Sequence, residues 1–71
     1  MKKWRLDKRF PQKLRAARIA AGYVSGSALA RELQIDPQRY LTWETGYRTP
    51  PLYMLVKLAN TLKISPDELL G

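Results

Sequence analysis

The 71-residue chain contains no cysteine and no histidine. The first absence excludes a disulfide framework, and the two together remove the usual ligands of a structural zinc. They also remove the commonest thiol nucleophile and the commonest general base, so Ser25, Ser27 and Ser65 have no imidazole to activate them. No carboxylate cluster suggests a metal site, and the expectation is a non-enzymatic chain with neither cofactor nor metal. Long apolar runs are missing too. The longest strongly apolar stretch, Leu52 to Val56, falls far short of the roughly 20 residues that a membrane-spanning helix needs. The opening Met1-Lys2-Lys3-Trp4-Arg5 begins like a secretory leader, but charges continue to Arg18 with no apolar block between them. A chain that stays in the cytoplasm is therefore expected, and the lack of cysteine fits a reducing compartment.

Acidic residues are scarce where basic ones are dense. Residues 1–18 hold eight cationic side chains (Lys2, Lys3, Arg5, Lys8, Arg9, Lys13, Arg15, Arg18) against Asp7 alone, whereas residues 19–71 hold five of each sign. The whole net charge of +7 thus sits at one end. Such polarity points to a polyanionic partner: nucleic acid, an anionic membrane surface or an acidic protein. A membrane surface is the weakest of these, because the basic end has no broad apolar counterpart.

What is present is a globular composition, 45% aliphatic and aromatic, in a length that allows one domain. With no covalent staple, so short a chain depends on compact helix packing. Helical periodicity dominates. Residues 1–9 read as a basic arm and residues 10–71 as the folded domain. A first helix is predicted from about Pro11 to Gly22, proline suiting the opening turn and glycine the position past the end; Leu14, Ala17, Arg18 and Ala21 would face inward. A second, capped by Ser25 or Ser27, buries Leu29, Ala30 and Leu33. Asp36-Pro37 announces a third, which Gly46 ends. A fourth runs from about Pro51 to Leu62 with Leu52, Leu55, Leu58, Ala59 and Leu62 inward, and Ser65-Pro66-Asp67-Glu68 opens a short fifth.

The second and third helices are separated by about three residues and must cross steeply. Ala30 supplies the small side chain at the crossing, Leu33 and Ile35 plug the corner, and Tyr40 and Trp43 anchor the third helix as core residues. With Pro37 as origin and about 100° per residue, Leu41 falls at about 40°, Thr45 at about 80°, Gln38 at about 100° and Thr42 at about 140°. On the same scale Tyr40 and Trp43 lie at about 300° and about 240°, on the opposite side. One arc thus presents a polar, uncharged face of modest bulk, suited to a major groove: amides and hydroxyls bond base edges, and an aliphatic group meets a thymine methyl. Arg39, at about 200°, flanks that arc, where a phosphate contact and a surface ion pair are both open.

Residues 13–70 resemble the Cro/repressor-type helix-turn-helix regulators, also called XRE-like or lambda-repressor-like. The resemblance rests on Leu14-x-x-x-Arg18, Leu29-Ala30-x-x-Leu33-x-Ile35, Trp43-Glu44-x-Gly46-x-Arg48-x-Pro50, Leu52-x-x-Leu55-x-x-Leu58-Ala59-x-x-Leu62 and Ile64-Ser65-x-Asp67-Glu68-Leu69-Leu70. It implies an all-α, compact five-helix DNA-binding domain, with the helix-turn-helix at helices 2 and 3 and operator bases read by the third helix. By the same resemblance, base contacts fall to Pro37, Gln38, Leu41, Thr42 and Thr45. Phosphate contacts fall to Ser25, Gly26, Ser27, Tyr47 and Arg48, with Arg39 a further candidate from its place on the helical wheel alone, and Arg18 and Glu44 form an internal salt bridge. The implied function is sequence-specific binding of double-stranded DNA by a transcriptional regulator, a phage or mobile-element-type repressor acting as a weak homodimer on DNA with no small-molecule effector. The chain departs from the family pattern at three points. Gly26 stands where glutamine often opens the second helix, with one extra residue after Gly22. Gln34 and Lys63 occupy positions where glycine is usual, and Pro37 one that often reads a base.

A second reading, from the charge alone, is a protein-interaction module of antitoxin or adaptor type gripping an acidic partner. The arm is either a segment that crosses a minor groove or wraps the duplex, or a plain soluble leader. For Trp4 within it, packing on the first or fifth helix and a partner contact are both open.

Overall fold

The computed structural model of the chain describes residues 8–70, Leu70 by its backbone alone. Apart from Lys8 and Arg9, the arm assigned to residues 1–9, including Trp4, lies outside the described residues. Five helices follow one another: α1 (Phe10–Ala20), α2 (Gly26–Leu33), α3 (Pro37–Thr45), α4 (Leu52–Leu62) and α5 (Pro66–Leu70). No strand occurs among the described residues.

Three of the starts are capped by side chains. The Ser25 hydroxyl accepts from the Ala28 N–H at 3.1 Å, and the Asp36 carboxylate accepts from the Gln38 N–H at 2.9 Å, each satisfying an otherwise unpaired first-turn donor. At α5 the caps are reciprocal: Ser65 Oγ accepts from Asp67 N–H, while Glu68 Oε2 accepts from Ser65 N–H, both at 3.2 Å.

Three of the helix ends share one device. At Gly22, Gln34 and Lys63 the backbone turns left-handed, with φ of 94°, 61° and 61°. The next N–H then reaches back five residues: Tyr23 to Arg18 O at 3.1 Å, Ile35 to Ala30 O at 3.0 Å, Ile64 to Ala59 O at 2.9 Å. In each case that next residue is a large apolar one, and Tyr23, Ile35 and Ile64 all pack against the core. The end of α2 is further satisfied by Lys57, whose Nζ donates to Leu33 O at 3.1 Å and sets a cation at the negative helix terminus.

The helices close around one core. α1 packs on α3 and α5, α2 on α3 and α4, and α4 on α5. Leu14, Leu29, Leu33, Leu55 and Leu58 are fully buried, each contributing about 1.5–3 kcal/mol of transfer free energy. Two expected inward positions are in solvent. Ala21 follows the last residue of α1, where the chain already bends toward Gly22, and is exposed. Leu52 is the first residue of α4, and the helix end carries it past its neighbours; Met54 is buried in its stead. Phe10, at the junction of the expected arm and domain, is also core, 1% exposed.

Because a left-handed Gln34 or Lys63 costs on the order of 1 kcal/mol that glycine avoids, Gln34→Gly and Lys63→Gly should each raise stability. The expected gain is about 0.5–1 kcal/mol, or several degrees in Tm for a domain of this size. Thermal denaturation of the two variants checks this, and a fall in Tm would show that the side chains rather than the backbone twist govern these corners.

Candidate nucleic-acid interface

The turn between α2 and α3 is residues 34–36, left-handed at Gln34 and extended at Asp36 (φ −63°, ψ 127°). Pro37, lacking an N–H and fixed near the helical φ, opens α3 without leaving a donor unpaired. Tyr40 and Trp43 then turn into the core, 1% and 2% exposed, and their rings meet edge to face with centroids 5.9 Å apart. With that side of α3 committed, Pro37, Gln38, Leu41 and Thr45 are exposed on the other and Thr42 is half-buried. Leu41 stands 51% exposed, an aliphatic side chain held in water beside amide and hydroxyl groups.

The two threonines spend their protons internally. Thr42 Oγ1 donates to Arg39 O at 2.6 Å, and Thr45 Oγ1 donates to Thr42 O at 3.3 Å. What their hydroxyls then show outward is acceptor capacity, so donor and acceptor together on this face come from the Gln38 amide.

At the ends of the helix pair, Ser25 and Ser27 are exposed, Gly26 is half-buried, and Tyr47 and Arg48 are exposed in the loop after α3. The two flanking arginines are each seated on a ring. Arg39 Cζ lies 5.6 Å from the Trp43 ring centroid, and Arg48 Cζ lies 5.5 Å from that of Tyr47. A cation over a π-face gains about 0.5–1 kcal/mol at exposed sites. Arg39 therefore has a partner beyond the phosphate and the ion pair that its position on the helical wheel left open, although the i, i+4 spacing from Trp43 is visible in the sequence.

Behind the exposed face lies a junction of four segments. Arg18 of α1 is buried, 7% exposed. Its Nε donates to Glu44 Oε2 at 2.7 Å, and an Nη donates to Tyr23 O at 2.9 Å. The same Glu44 oxygen accepts from the Tyr40 hydroxyl at 2.6 Å. Tyr40, four residues before Glu44, is the member of this network that sequence reasoning missed as a polar partner. A buried pair of this kind gains little over apolar substitutes, but removing one member strands a charge and costs about 3–5 kcal/mol. No buried side-chain nitrogen or oxygen among the described residues is left without a hydrogen bond.

Gly26 faces this junction. A Cβ placed on it would stand 2.9 Å and 3.1 Å from Tyr40 Cε2 and Cδ2, and 3.8 Å from Glu44 Oε2. The first turn of α2 thus has no side chain at Gly26 because the Tyr40 ring occupies the space.

This is the arrangement of a helix-turn-helix: a short capped helix, a left-handed corner, and a second helix anchored by aromatics with its polar face outward. A family profile described as helix-turn-helix matches residues 14–69. The chain belongs to the XRE-type helix-turn-helix family. The five-helix XRE-type fold is the lambda-repressor-like one, and this is the DNA-binding domain of a family of transcriptional regulators. The chain is similar to the HTH-type transcriptional regulator ImmR of Bacillus subtilis (strain 168), 38% identical over 60 residues. Those residues are 84% of this chain and 46% of that relative, so the chain spans less than half the relative's length. No helix of the described residues is long and apolar enough to cross a membrane.

The buried Tyr40 hydroxyl holds its proton far above the usual tyrosine range. Burial contributes most, followed by the hydrogen bond to Glu44 and that residue's charge, with Arg18 opposing. A folded pKa above the unfolded value of about 10 means that the group's contribution is intact below that pH and declines as the solution becomes more alkaline. Urea unfolding at successive pH values should therefore show stability falling above pH about 10, this residue contributing up to about 1.4 kcal/mol per unit. Tyr40→Phe should start lower, by about 1 kcal/mol, and fall less steeply; equal slopes in the two proteins would refute this assignment.

Proposed function

We propose that the domain binds double-stranded DNA sequence-specifically, with α3 in the major groove, and acts as a repressor of phage or mobile-element type. The observation that carries the reading is the division of α3 into two sides: Tyr40 and Trp43 buried, Gln38, Leu41 and Thr45 exposed with Thr42 beside them. Gln38 pairs with an adenine edge through its amide oxygen and nitrogen, and Leu41 meets a thymine methyl. Thr42 and Thr45 offer acceptors to base amino groups, and Pro37 abuts the groove wall.

Phosphates are met by Ser25, the N–H groups of Gly26 and Ser27 at the positive end of α2, and by Tyr47, Arg48 and Arg39. The two arginines leave their rings for phosphate oxygens at little cost, since each exchanges one favourable partner for another. The basic arm, residues 1–9, adds charge neutralisation along the backbone. Two copies bind a near-palindromic operator with half-sites about one helical turn apart, as a weak dimer that DNA brings together. Repression is steric, by occupying the operator in the cytoplasm, with neither catalysis nor a small-molecule effector.

Selection of binding sites from randomised duplex DNA tests the whole reading. A symmetric consensus is expected; recovery of no preferred sequence, together with a stoichiometric acidic protein partner, would replace it by the interaction-module reading. On the selected site, Gln38→Ala should cost about 1–3 kcal/mol and relax preference at one base pair. Full discrimination retained by that variant would mean that the reading face is elsewhere. Removal of residues 1–9 should weaken binding to all sequences alike and lower the salt slope by about 0.9 for each phosphate that the arm neutralises. An unchanged slope would make the arm a bystander.

A further inference from the structure

We infer that Gly26 and Tyr40 form a matched pair, in which the tyrosine ring replaces the side chain missing from the first turn of α2 and thereby fixes where α3 stands. Tyr40 is then a positioning residue for base recognition, an inference that rests on the DNA-binding reading above.

The argument begins with space. A Cβ at Gly26 would come within 2.9 Å of Tyr40 Cε2, closer than carbon atoms approach without something shifting. Whether the ring can yield is decided by its restraints. Its hydroxyl donates to Glu44 Oε2 at 2.6 Å, and that oxygen is itself held by Arg18 Nε at 2.7 Å. The ring also packs against the Trp43 indole, the two planes at 66° and the centroids 5.9 Å apart. The ring is 1% exposed, and swinging it aside would break these contacts. Any added bulk on α2 is therefore transmitted to α3 as a displacement of the helix.

The displacement would act where sequence is read. Gln38 lies two residues before Tyr40 and Thr42 two after it, so a shift of the Tyr40 backbone carries both. A misplacement of about 1 Å is enough to break bidentate hydrogen bonds, whose useful distances span only about half an ångström.

The test is a double-mutant cycle of Gly26→Ala and Tyr40→Leu, with Tyr40→Phe as a third background. Two quantities are read: the thermal unfolding midpoint, and the affinity ratio between the duplex selected by the wild type from randomised DNA and a scrambled duplex of equal length and salt. In the native background Gly26→Ala should lower the midpoint and reduce the ratio at least tenfold while the protein stays helical. In the Tyr40→Leu background, where the ring edge is gone, the same substitution should no longer lower the midpoint, because alanine is the better helix former. In the Tyr40→Phe background, which keeps the ring and is less prone to unfold, the penalty should persist.

A harmless Gly26→Ala, or one equally harmful in the leucine background, overturns the pairing. A midpoint change with the affinity ratio intact overturns the positioning role and leaves only packing. If the wild type selects no duplex at all, the DNA-binding reading and the positioning role fail together, while the midpoints still decide whether the two residues are matched.

Discussion

The geometry of the domain depends on one carboxylate oxygen. Glu44 Oε2 accepts from Arg18 of α1 and from Tyr40 of α3, while Gly26 of α2 leaves room beside it. Two helices therefore bond to a single acceptor beside the start of a third, and a further hydrogen bond, from Arg18 to Tyr23 O, ties in the connection between α1 and α2. In a protein interior such bonds are electrostatically stronger than in water, and each member makes the others harder to lose. An apolar cluster of equal volume would fill the same space, but it would tolerate sliding. A guanidinium, a carboxylate and a phenol in hydrogen-bond register do not, which on the proposed DNA-binding reading holds the outer side of α3 to a fraction of an ångström.

Charge and recognition are separated along the chain. The positive excess belongs to the first 18 residues, while the arc of α3 formed by Gln38, Leu41, Thr42 and Thr45 is neutral. On the proposed reading, a neutral face adds little affinity for arbitrary sequence and a cationic end adds much, so attraction and discrimination are adjustable independently. Within the basic segment, the charge of Arg18 is consumed internally by Glu44.

Helix number and order were legible because the boundaries are written in capping residues. Ser25, Asp36-Pro37, Gly46 and Ser65 act locally, and local chemistry survives without knowledge of the fold. Tyr40 and Trp43 were legible as core by their spacing. Burial at helix ends was not: Leu52 and Ala21 have inward phases, yet at the last turn exposure depends on whether a neighbour extends that far. Phe10 was hidden by the charges around it. Contacts across elements were the least legible. The meaning of Gly26 lies in a ring fourteen residues away in sequence, and no pattern within α2 contains it. The resemblance marked this glycine as unusual without giving the reason, which is steric and becomes visible only in three dimensions.

The left-handed corners have a bearing on how such a domain tolerates change in length. Tyr23, Ile35 and Ile64 follow their turns immediately and drop into the core. A residue added at Gln34 or Lys63 would swing the isoleucine to the outside and empty its seat, whereas Val24, already 92% exposed, borders a stretch where spare backbone can loop into water. Insertions along this lineage of sequences should thus accumulate between α1 and α2 and be absent from the other two corners, leaving the spacing of the helix-turn-helix untouched while its approach varies.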